Sequence, residues 1–270
     1  LETFAENGAD IFACVRKESD EFTDILTKLS VKTGVSITPV YFDLVDKEQV
    51  KAGIKSIMSS KKQIDILVNN AGIAMGSFFQ MTSLQDMKQL FEINFFSQIY
   101  FTQGISRYMT RFKSGSIINI ASTAGLIGDS GTTSYGSSKA ALMFATKTMA
   151  TELGFMNIRV NAIAPSLTKT DMFNQMEENA RSKLIESSAL QRPAEAVEVA
   201  NVALFGCASV ASVSIFGWSE KRKMRHLNQK SLHHISRFLT VHESIVVGAA
   251  QSAFVVGIVA ALVAETIGNV

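Results

Sequence analysis

Two residues one helical turn apart, Tyr135 and Lys139, carry the clearest chemistry in this sequence. Side chains four positions apart on a helix share a face, so the lysine ammonium is expected near the phenol. A free phenol has a pKa of about 10, and a neighbouring positive charge lowers that pKa toward neutral pH. A tyrosine tuned in this way can donate a proton to an oxygen that gains negative charge. The pair therefore predicts acid–base chemistry at a carbonyl or hydroxyl group.

The pattern Tyr-x-x-x-Lys alone occurs by chance in many helices, so the neighbouring motifs are needed to decide whether it marks a catalytic site. Ser122 precedes Tyr135 by 13 residues, and Asn94 lies further upstream. Three motifs accompany them, namely Asn69-Asn70-Ala71-Gly72, Asn119-Ile120-Ala121-Ser122 and Ala164-Pro165-Ser166-Leu167-Thr168-Lys169-Thr170. In this order they resemble the short-chain dehydrogenase/reductase family of nicotinamide-dependent alcohol and ketone oxidoreductases. From about Leu1 to Gly217 the sequence is most similar to the bacterial 3-oxoacyl-acyl-carrier-protein reductases.

The resemblance implies a role for each of the four residues. Tyr135 would donate a proton to the alkoxide that forms when a ketone is reduced. Lys139 would lower the pKa of Tyr135 and bind the nicotinamide ribose. Ser122 would hydrogen-bond the substrate carbonyl, and Asn94 would hold a water molecule that feeds protons to Lys139. Taken singly, Asn94 is equally typical of a helix residue bonded to backbone, and Ser122 of a turn residue.

Arg16 indicates which nicotinamide cofactor is used. After the second strand of dinucleotide-binding folds, an acidic residue binds the ribose hydroxyl of NAD, whereas arginine accommodates the 2′-phosphate of NADP. We therefore predict NADP(H), although a solvated loop arginine remains the alternative. The resemblance adds further cofactor contacts at Asp43, Leu44, Asn70, Ala71, Gly72, Tyr135, Lys139, Pro165, Thr168 and Thr170. Asp43 would serve equally well as a helix N-cap.

Short runs rich in Ile and Val alternate with segments of helical spacing, which predicts an α/β fold. The expected strands are Ile11–Val15, Ile37–Phe42, Ile64–Val68, Ile117–Ile120 and Val160–Ala164. The expected helices are Glu21–Val35, Lys47–Ser60, Leu84–Tyr108, Ser134–Leu153 and Ala194–Ala208. Strand–helix alternation of this kind is typical of a Rossmann-type, doubly wound parallel sheet in a single domain.

The resemblance is incomplete at both ends of residues 1–217, where segments typical of the family have no counterpart. The family's sheet opens with a central strand and a glycine-rich turn whose amides bind the pyrophosphate. Leu1–Ala9 matches the end of the helix that follows that turn, and Trp218-Ser219-Glu220-Lys221 stands where the last strand would end. We therefore expect an incomplete domain, and we expect residues 1–270 to bind NADPH poorly.

Residues 218–270 differ in composition from the rest. They hold all four histidines, a basic cluster at residues 221–225, and the apolar run 245–264. That run fits a membrane helix. Alternatively, residues 244–251 form a permuted strand and glycine turn, or the tail is non-native sequence without a fixed role. The histidines have no zinc-ligand spacing, so no metal site is expected.

Composition narrows the functional classes further. A net charge of +2 gives no reason to expect nucleic-acid binding, and a membrane is expected only through residues 245–264. Cys14 and Cys207 are expected to be buried thiols of a cytoplasmic protein.

Helices 84–108 and 134–153 are expected to form a homo-oligomer. The leading function is NADPH-dependent reduction of a 3-oxoacyl thioester on acyl carrier protein, with Arg111 and Lys113 as candidate contacts of this acidic carrier. The alternatives are a sugar, polyol or steroid-like substrate, or an inactive remnant.

Overall fold

A computed structural model of the protein describes residues 1–208. The predictions for the tail, including the domain boundary near Gly217 and the apolar run 245–264, fall outside these residues. Within residues 1–208, no helix is long and apolar enough to cross a membrane. The same part of the chain holds no cluster of three or more metal-ligating side chains.

Within residues 1–208, five strands form two parallel sheets. They are β1 (Ile11–Val15), β2 (Ile37–Tyr41), β3 (Ile66–Asn69), β4 (Gly115–Ile120) and β5 (Ile158–Ile163). The strand order is β1-β2 in one sheet and β3-β4-β5 in the other, and every pair is parallel. Among residues 1–208, no ladder joins β1 to β3. The predicted strands are therefore present; the bounds of Ile11–Val15 are as predicted, and those of the other four differ by at most two residues.

Helices connect the strands in the way that parallel pairing requires. They are α1 (Glu2–Glu6), α2 (Asp20–Thr33), α3 (Lys47–Ser59), α4 (Leu84–Phe91), α5 (Ser97–Phe112), α6 (Thr133–Gly154), α7 (Asp171–Asn174), α8 (Glu178–Ser187) and α9 (Ala196–Ala208). A π-helical turn, Glu92–Phe96, joins α4 to α5, and 3₁₀ turns occupy Phe79–Met81 and Thr123–Gly125. The predicted helix Leu84–Tyr108 is therefore present, but it contains a π turn that its spacing did not indicate and it extends to Phe112.

Local signals account for the helix ends. Ser19 caps α2 by accepting from the amide of Phe22, and Gly34 ends that helix with a φ of 75°. Asp46 caps α3. The alternative role for Asp43 as the N-cap is wrong, because its carboxylate instead accepts from the amide of Val45 within the preceding turn.

Alternation along β4 explains how the layers stack. Ile117 faces a core that also contains Val40, Phe42 and Phe101, so one apolar layer spans both sheets. The adjacent Ile118 faces the opposite side, where α9 covers the sheet through residues such as Val199 and Val202. Helices thus cover both faces of the β3-β4-β5 sheet, and the predicted α/β, doubly wound architecture is confirmed.

Cys14 and Cys207 are both free thiols. Burial raises the pKa of the Cys14 thiol to about 12 and that of Cys207 to about 11. Both side chains are therefore protonated and unreactive at neutral pH.

Candidate active site

The carboxyl end of β4 and the first turns of α6 hold the central side chains. Ser122 comes two residues after β4 ends at Ile120, and its hydroxyl also accepts from the amide of Ala124. Tyr135 and Lys139 lie one turn apart near the start of α6. The Ser122 hydroxyl also lies near the phenol of Tyr135 and acts to lower the pKa of that phenol. Two hydroxyl groups therefore stand together at the edge of the sheet where parallel-strand folds bind ligands.

Tyr135 differs from the sequence-based expectation in one respect. Burial raises the pKa of its phenol above the ordinary value, and the Ser122 hydroxyl only partly opposes this. The ammonium of Lys139 lies 6.0 Å from the centroid of the tyrosine ring. In this arrangement the phenol is fully protonated at neutral pH, which is the form that an acid catalyst needs.

Lys139 is almost fully buried, with 2% of its surface exposed. Its Nζ donates to the carbonyl oxygen of Ile120 at 2.9 Å. Burial disfavours the charged form and lowers the pKa of the ammonium to about 8. A lysine of this pKa can both carry a positive charge and exchange a proton near neutral pH.

Asn94 lies in the π turn and is completely buried. Its Oδ1 accepts from the amide of Ile73 at 2.8 Å, and its Nδ2 donates to the carbonyl of the same residue at 2.8 Å. The Nδ2 also donates to Ser138 Oγ at 3.2 Å, which links the turn to α6. π turns inside helices are rare and are frequent at functional sites. The sequence carried no signal for this turn.

Gly72 lies between Asn94 and Lys139. A Cβ atom at this position would stand 3.1 Å from Asn94 Oδ1 and 3.3 Å from Lys139 Nζ. Asn70, Ala71 and Gly72 directly follow β3, as predicted. The absence of a side chain at Gly72 therefore lets Asn94 and Lys139 pack directly against the backbone that follows β3.

A buried chain of side-chain hydrogen bonds lies behind these residues and was not anticipated. Asn69 Nδ2 donates to Thr102 Oγ1 and to Asn119 Oδ1, both at 2.7 Å. Asn119 Nδ2 donates in turn to Thr146 Oγ1 at 2.8 Å. The chain links β3, β4, α5 and α6. An asparagine inside the apolar strand around Asn119 was the available signal, because a buried amide needs partners.

The other predicted cofactor residues also follow strand ends. Arg16 is exposed just after β1, and Asp43 and Leu44 follow β2. The Leu44 carbonyl accepts from Ser97 Oγ at 2.5 Å, which ties this loop to α5. Pro165 follows β5 and is buried.

Thr168 and Thr170 are buried in the segment after Pro165. Their hydroxyls donate to the carbonyls of Ser166 and Thr168, at 3.1 and 3.3 Å. Backbone pairing of Thr168 with Ala194 fixes the segment. The two hydroxyls thus shape the local backbone in this structure.

Arg111 and Lys113 lie elsewhere. Both come at the end of α5, immediately before β4 begins at Gly115. Ser122 follows the opposite end of the same six-residue strand, roughly 20 Å away. The two basic residues are therefore not part of the site that Ser122 and Tyr135 form in the same protomer.

Close backbone packing sets the distance between Ser122 and Tyr135. A Cβ atom at Gly136 would stand 2.5 Å from the carbonyl oxygen of Ala124, in the turn that follows Ser122. One at Gly125 would stand 2.7 Å from the backbone nitrogen of Ala140. Two side-chain-free positions therefore allow this turn to rest directly on α6.

We expect Gly136→Ala to lower the free energy of unfolding by about 1–3 kcal/mol, since a backbone carbonyl cannot move aside as a side chain can. This exceeds the gain of about 1 kcal/mol from replacing glycine within a helix. Gly128→Ala is the control, because a Cβ atom there meets nothing within 4 Å. Urea denaturation measures both variants. Equal midpoints for the two would show that the turn does not rest tightly on α6.

Comparison with known proteins places the chain among oxidoreductases. A family model described as short chain dehydrogenase matches residues 1–181. The 3-oxoacyl-acyl-carrier-protein reductase of Thermotoga maritima is 34% identical over 202 residues, covering 75% of this chain and 81% of the relative. The 3alpha-hydroxysteroid dehydrogenase of Mediterraneibacter gnavus is 32% identical over 214 residues, covering 78% and 85%. The crystal structure of an NAD+-bound xylitol dehydrogenase is similar with a TM-score of 0.70 at 27% identity, covering 79% of this chain and 88% of that one.

Proposed function

This chain belongs to the short-chain dehydrogenase family, and we propose that it reduces a 3-oxoacyl thioester with NADPH. The observation that carries the proposal is the hydroxyl pair of Ser122 and Tyr135 beside the buried Lys139. The similarity to the Thermotoga maritima reductase supports the choice of substrate. Asn94, which the π turn holds against Ile73, completes the proposed set of catalytic residues.

The residues present fit a nicotinamide cofactor. Arg16, Asp43, Asn70 and Pro165 each follow the carboxyl end of a parallel strand, where such folds bind dinucleotides. A Cβ atom at Gly72 would crowd Lys139 Nζ at 3.3 Å, so glycine at this position lets the lysine lie at the same edge of the sheet. The exposed guanidinium of Arg16 suits a phosphate and supports NADP(H) over NAD(H).

When bound, the cofactor supplies the hydride, and the protein orients the substrate and supplies the proton. The Ser122 hydroxyl donates a hydrogen bond to the substrate carbonyl and orients it. The protonated phenol of Tyr135 then gives its proton to the oxygen as negative charge develops there. Lys139 stabilises the resulting phenolate through its positive charge, and its pKa of about 8 lets it pass on a replacement proton.

A different alcohol or ketone substrate is the second candidate. The 3alpha-hydroxysteroid dehydrogenase is nearly as similar to this chain as the 3-oxoacyl reductase, at 32% against 34% identity. The rate of NADPH oxidation separates the candidates. It is measured with a 3-oxoacyl thioester, a 3-oxosteroid and a ketose, each at the same concentration. The proposal requires the highest kcat/KM for the thioester. A higher value for either of the other two would replace it with the second candidate.

The proposed homo-oligomer is supported by exposed aromatic side chains on the predicted helices. Phe96 is 54% exposed between α4 and α5, and Phe144 on α6 is 71% exposed. Phe155, which directly follows α6, is 84% exposed. Aromatic residues in such numbers on the surface are typical of protein interfaces. We infer that a second copy of the chain covers them.

We expect Arg16→Asp to lower the ratio of kcat/KM for NADPH to that for NADH by about 10–100-fold. The change removes a charged partner of the 2′-phosphate and adds a carboxylate that repels it. Lys55→Asp on the exposed face of α3 is the control for the change in net charge. A ratio that moves equally in both variants would mean that Arg16 does not contact the cofactor.

These kinetic measurements use an extended version of the chain, in which a strand and glycine-rich turn of the family type precede residue 1. The extension supplies the pyrophosphate-binding amides that the resemblance implies and that residues 1–208 do not place ahead of β1.

A further inference from the structure

Gln98 is a buried polar residue to which the proposed chemistry assigns no role. It lies one turn after Asn94, at the start of α5, and is 2% exposed. Its Nε2 donates to the carbonyl of Ala71 at 2.6 Å and to that of Ile93 at 3.3 Å. Its Oε1 finds no hydrogen-bond partner among residues 1–208. A buried amide with an unsatisfied oxygen is energetically unfavourable, so the presence of glutamine at this position requires an explanation.

The contacts of Gln98 and Asn94 fall on neighbouring backbone groups. Asn94 bonds both the amide and the carbonyl of Ile73, and Gln98 bonds the carbonyl of Ala71. The residue between them is Gly72, which lies against Lys139. Asn94 and Gln98 therefore hydrogen-bond the loop Ala71–Ile73 on both sides of its glycine.

The π turn brings these two side chains to the same loop. Ser97, between them, donates its amide to the Glu92 carbonyl, five residues back, so the helix is locally widened. The second donor contact of Gln98, to Ile93, lies within this widened turn. The turn and the loop are thus held together by side-chain hydrogen bonds rather than by a backbone ladder.

We propose that Gln98 is a positioning residue that fixes the loop Ala71–Ile73 beside Lys139 and thereby sets the cofactor-binding edge of the site. The kinetic consequence rests on the proposed function, whereas the loop position does not. Loss of the Nε2 donor leaves the Ala71 carbonyl unbonded and frees the loop to move away from Lys139. Glutamate at this position would place a carboxylate against two carbonyl oxygens, unless the carboxyl is protonated and donates in place of the amide.

Hydrogen exchange of residues 1–270 tests the loop position without cofactor. We expect Gln98→Leu to lower the protection of the Ile73 amide, which donates to Asn94 Oδ1, about tenfold while β4 keeps its protection. In Gln98→Glu the loss should be larger at about pH 8 than at about pH 5, where a protonated carboxyl restores the bond to Ala71. Gln103→Glu, on the exposed side of α5, is the matched control and should change neither segment.

Two results would overturn this proposal. Unchanged protection of the Ile73 amide in Gln98→Leu would show that Gln98 does not hold the loop. An equal loss in β4 would show a general loss of stability rather than a positioning role.

A kinetic experiment on the extended version then connects the loop to the cofactor. Gln98→Leu should raise KM for NADPH about tenfold and change KM for the ketone much less. Equal changes in both constants would overturn the assignment to the cofactor edge. If the unsubstituted protein oxidised no NADPH, the proposed function would fail, and hydrogen exchange would still decide whether Gln98 positions the loop.

Discussion

Tyr135→Phe is expected to lower kcat by about 10²–10⁴-fold while NADPH binding is retained. The substitution removes only the hydroxyl group that lies against Ser122, and the ring stays in place. Turnover by the extended version and NADPH fluorescence titration measure the two effects separately. Tyr100→Phe is the control, because its ring contacts Lys47 away from the site. Turnover close to that of the unsubstituted protein would contradict the assignment of Tyr135 as the proton donor.

Lys139→Ala should differ from Tyr135→Phe in a diagnostic way. The buried ammonium both faces Tyr135 and lies beside Gly72, on the proposed path of the cofactor. Its loss is therefore expected to weaken turnover and NADPH affinity together. Lys147→Ala, at an exposed position two turns further along α6, is the matched control. This contrast separates a group that only donates a proton from one that also binds the cofactor.

NADPH is expected not to raise the melting temperature of residues 1–270, and to raise that of the extended version by about 5–10 °C at 100-fold excess over Kd. The physical reason is the break between the sheets. Within residues 1–208, β1 pairs only with β2 and β3 only with β4. A strand between them would satisfy the facing backbone groups, and its glycine turn would present amides to the pyrophosphate.

A rise in melting temperature with NADPH for residues 1–270 themselves would contradict this expectation. It would favour the interpretation of residues 244–251 as a permuted strand and glycine turn over a membrane helix at 245–264. Trimethylamine N-oxide, which has neither hydroxyl nor phosphate groups, serves as a control for non-specific stabilisation by a solute in both proteins.

The fold was largely predictable because its signals are local. Runs such as Ile117–Ile120 are buried on both faces, and a strand buried in this way is mostly apolar, with Asn119 as the one polar residue of this run. Helix caps such as Ser19 and Asp46 are equally local. The placement of Tyr135 and Lys139 on one helix follows from their spacing alone.

What could not be predicted depends on contacts between distant segments. The π turn at Asn94 has the composition of an ordinary helix and is explained only by the bonds to Ile73. Burial raises the pKa of Tyr135, and the sequence does not show how deeply the phenol is buried. The spacing to Lys139 alone predicts a shift in the opposite direction. Arg111 was considered as a carrier contact on the basis of charge, although β4 separates it from Ser122. Spacing in the sequence says nothing about which edge of a sheet a surface residue occupies.

Transfer of the hydride itself tests the central claim most directly. The extended version is incubated with NADPH that carries deuterium at the transferable position of the nicotinamide and with a 3-oxoacyl thioester, and the product is analysed by mass spectrometry. The proposed function predicts a 3-hydroxyacyl thioester with one deuterium at C3, formed by the unsubstituted protein and almost absent with Tyr135→Phe. No deuterated product from the unsubstituted protein, or equal amounts from both proteins, would contradict a Ser122–Tyr135–Lys139 reductase acting on this substrate.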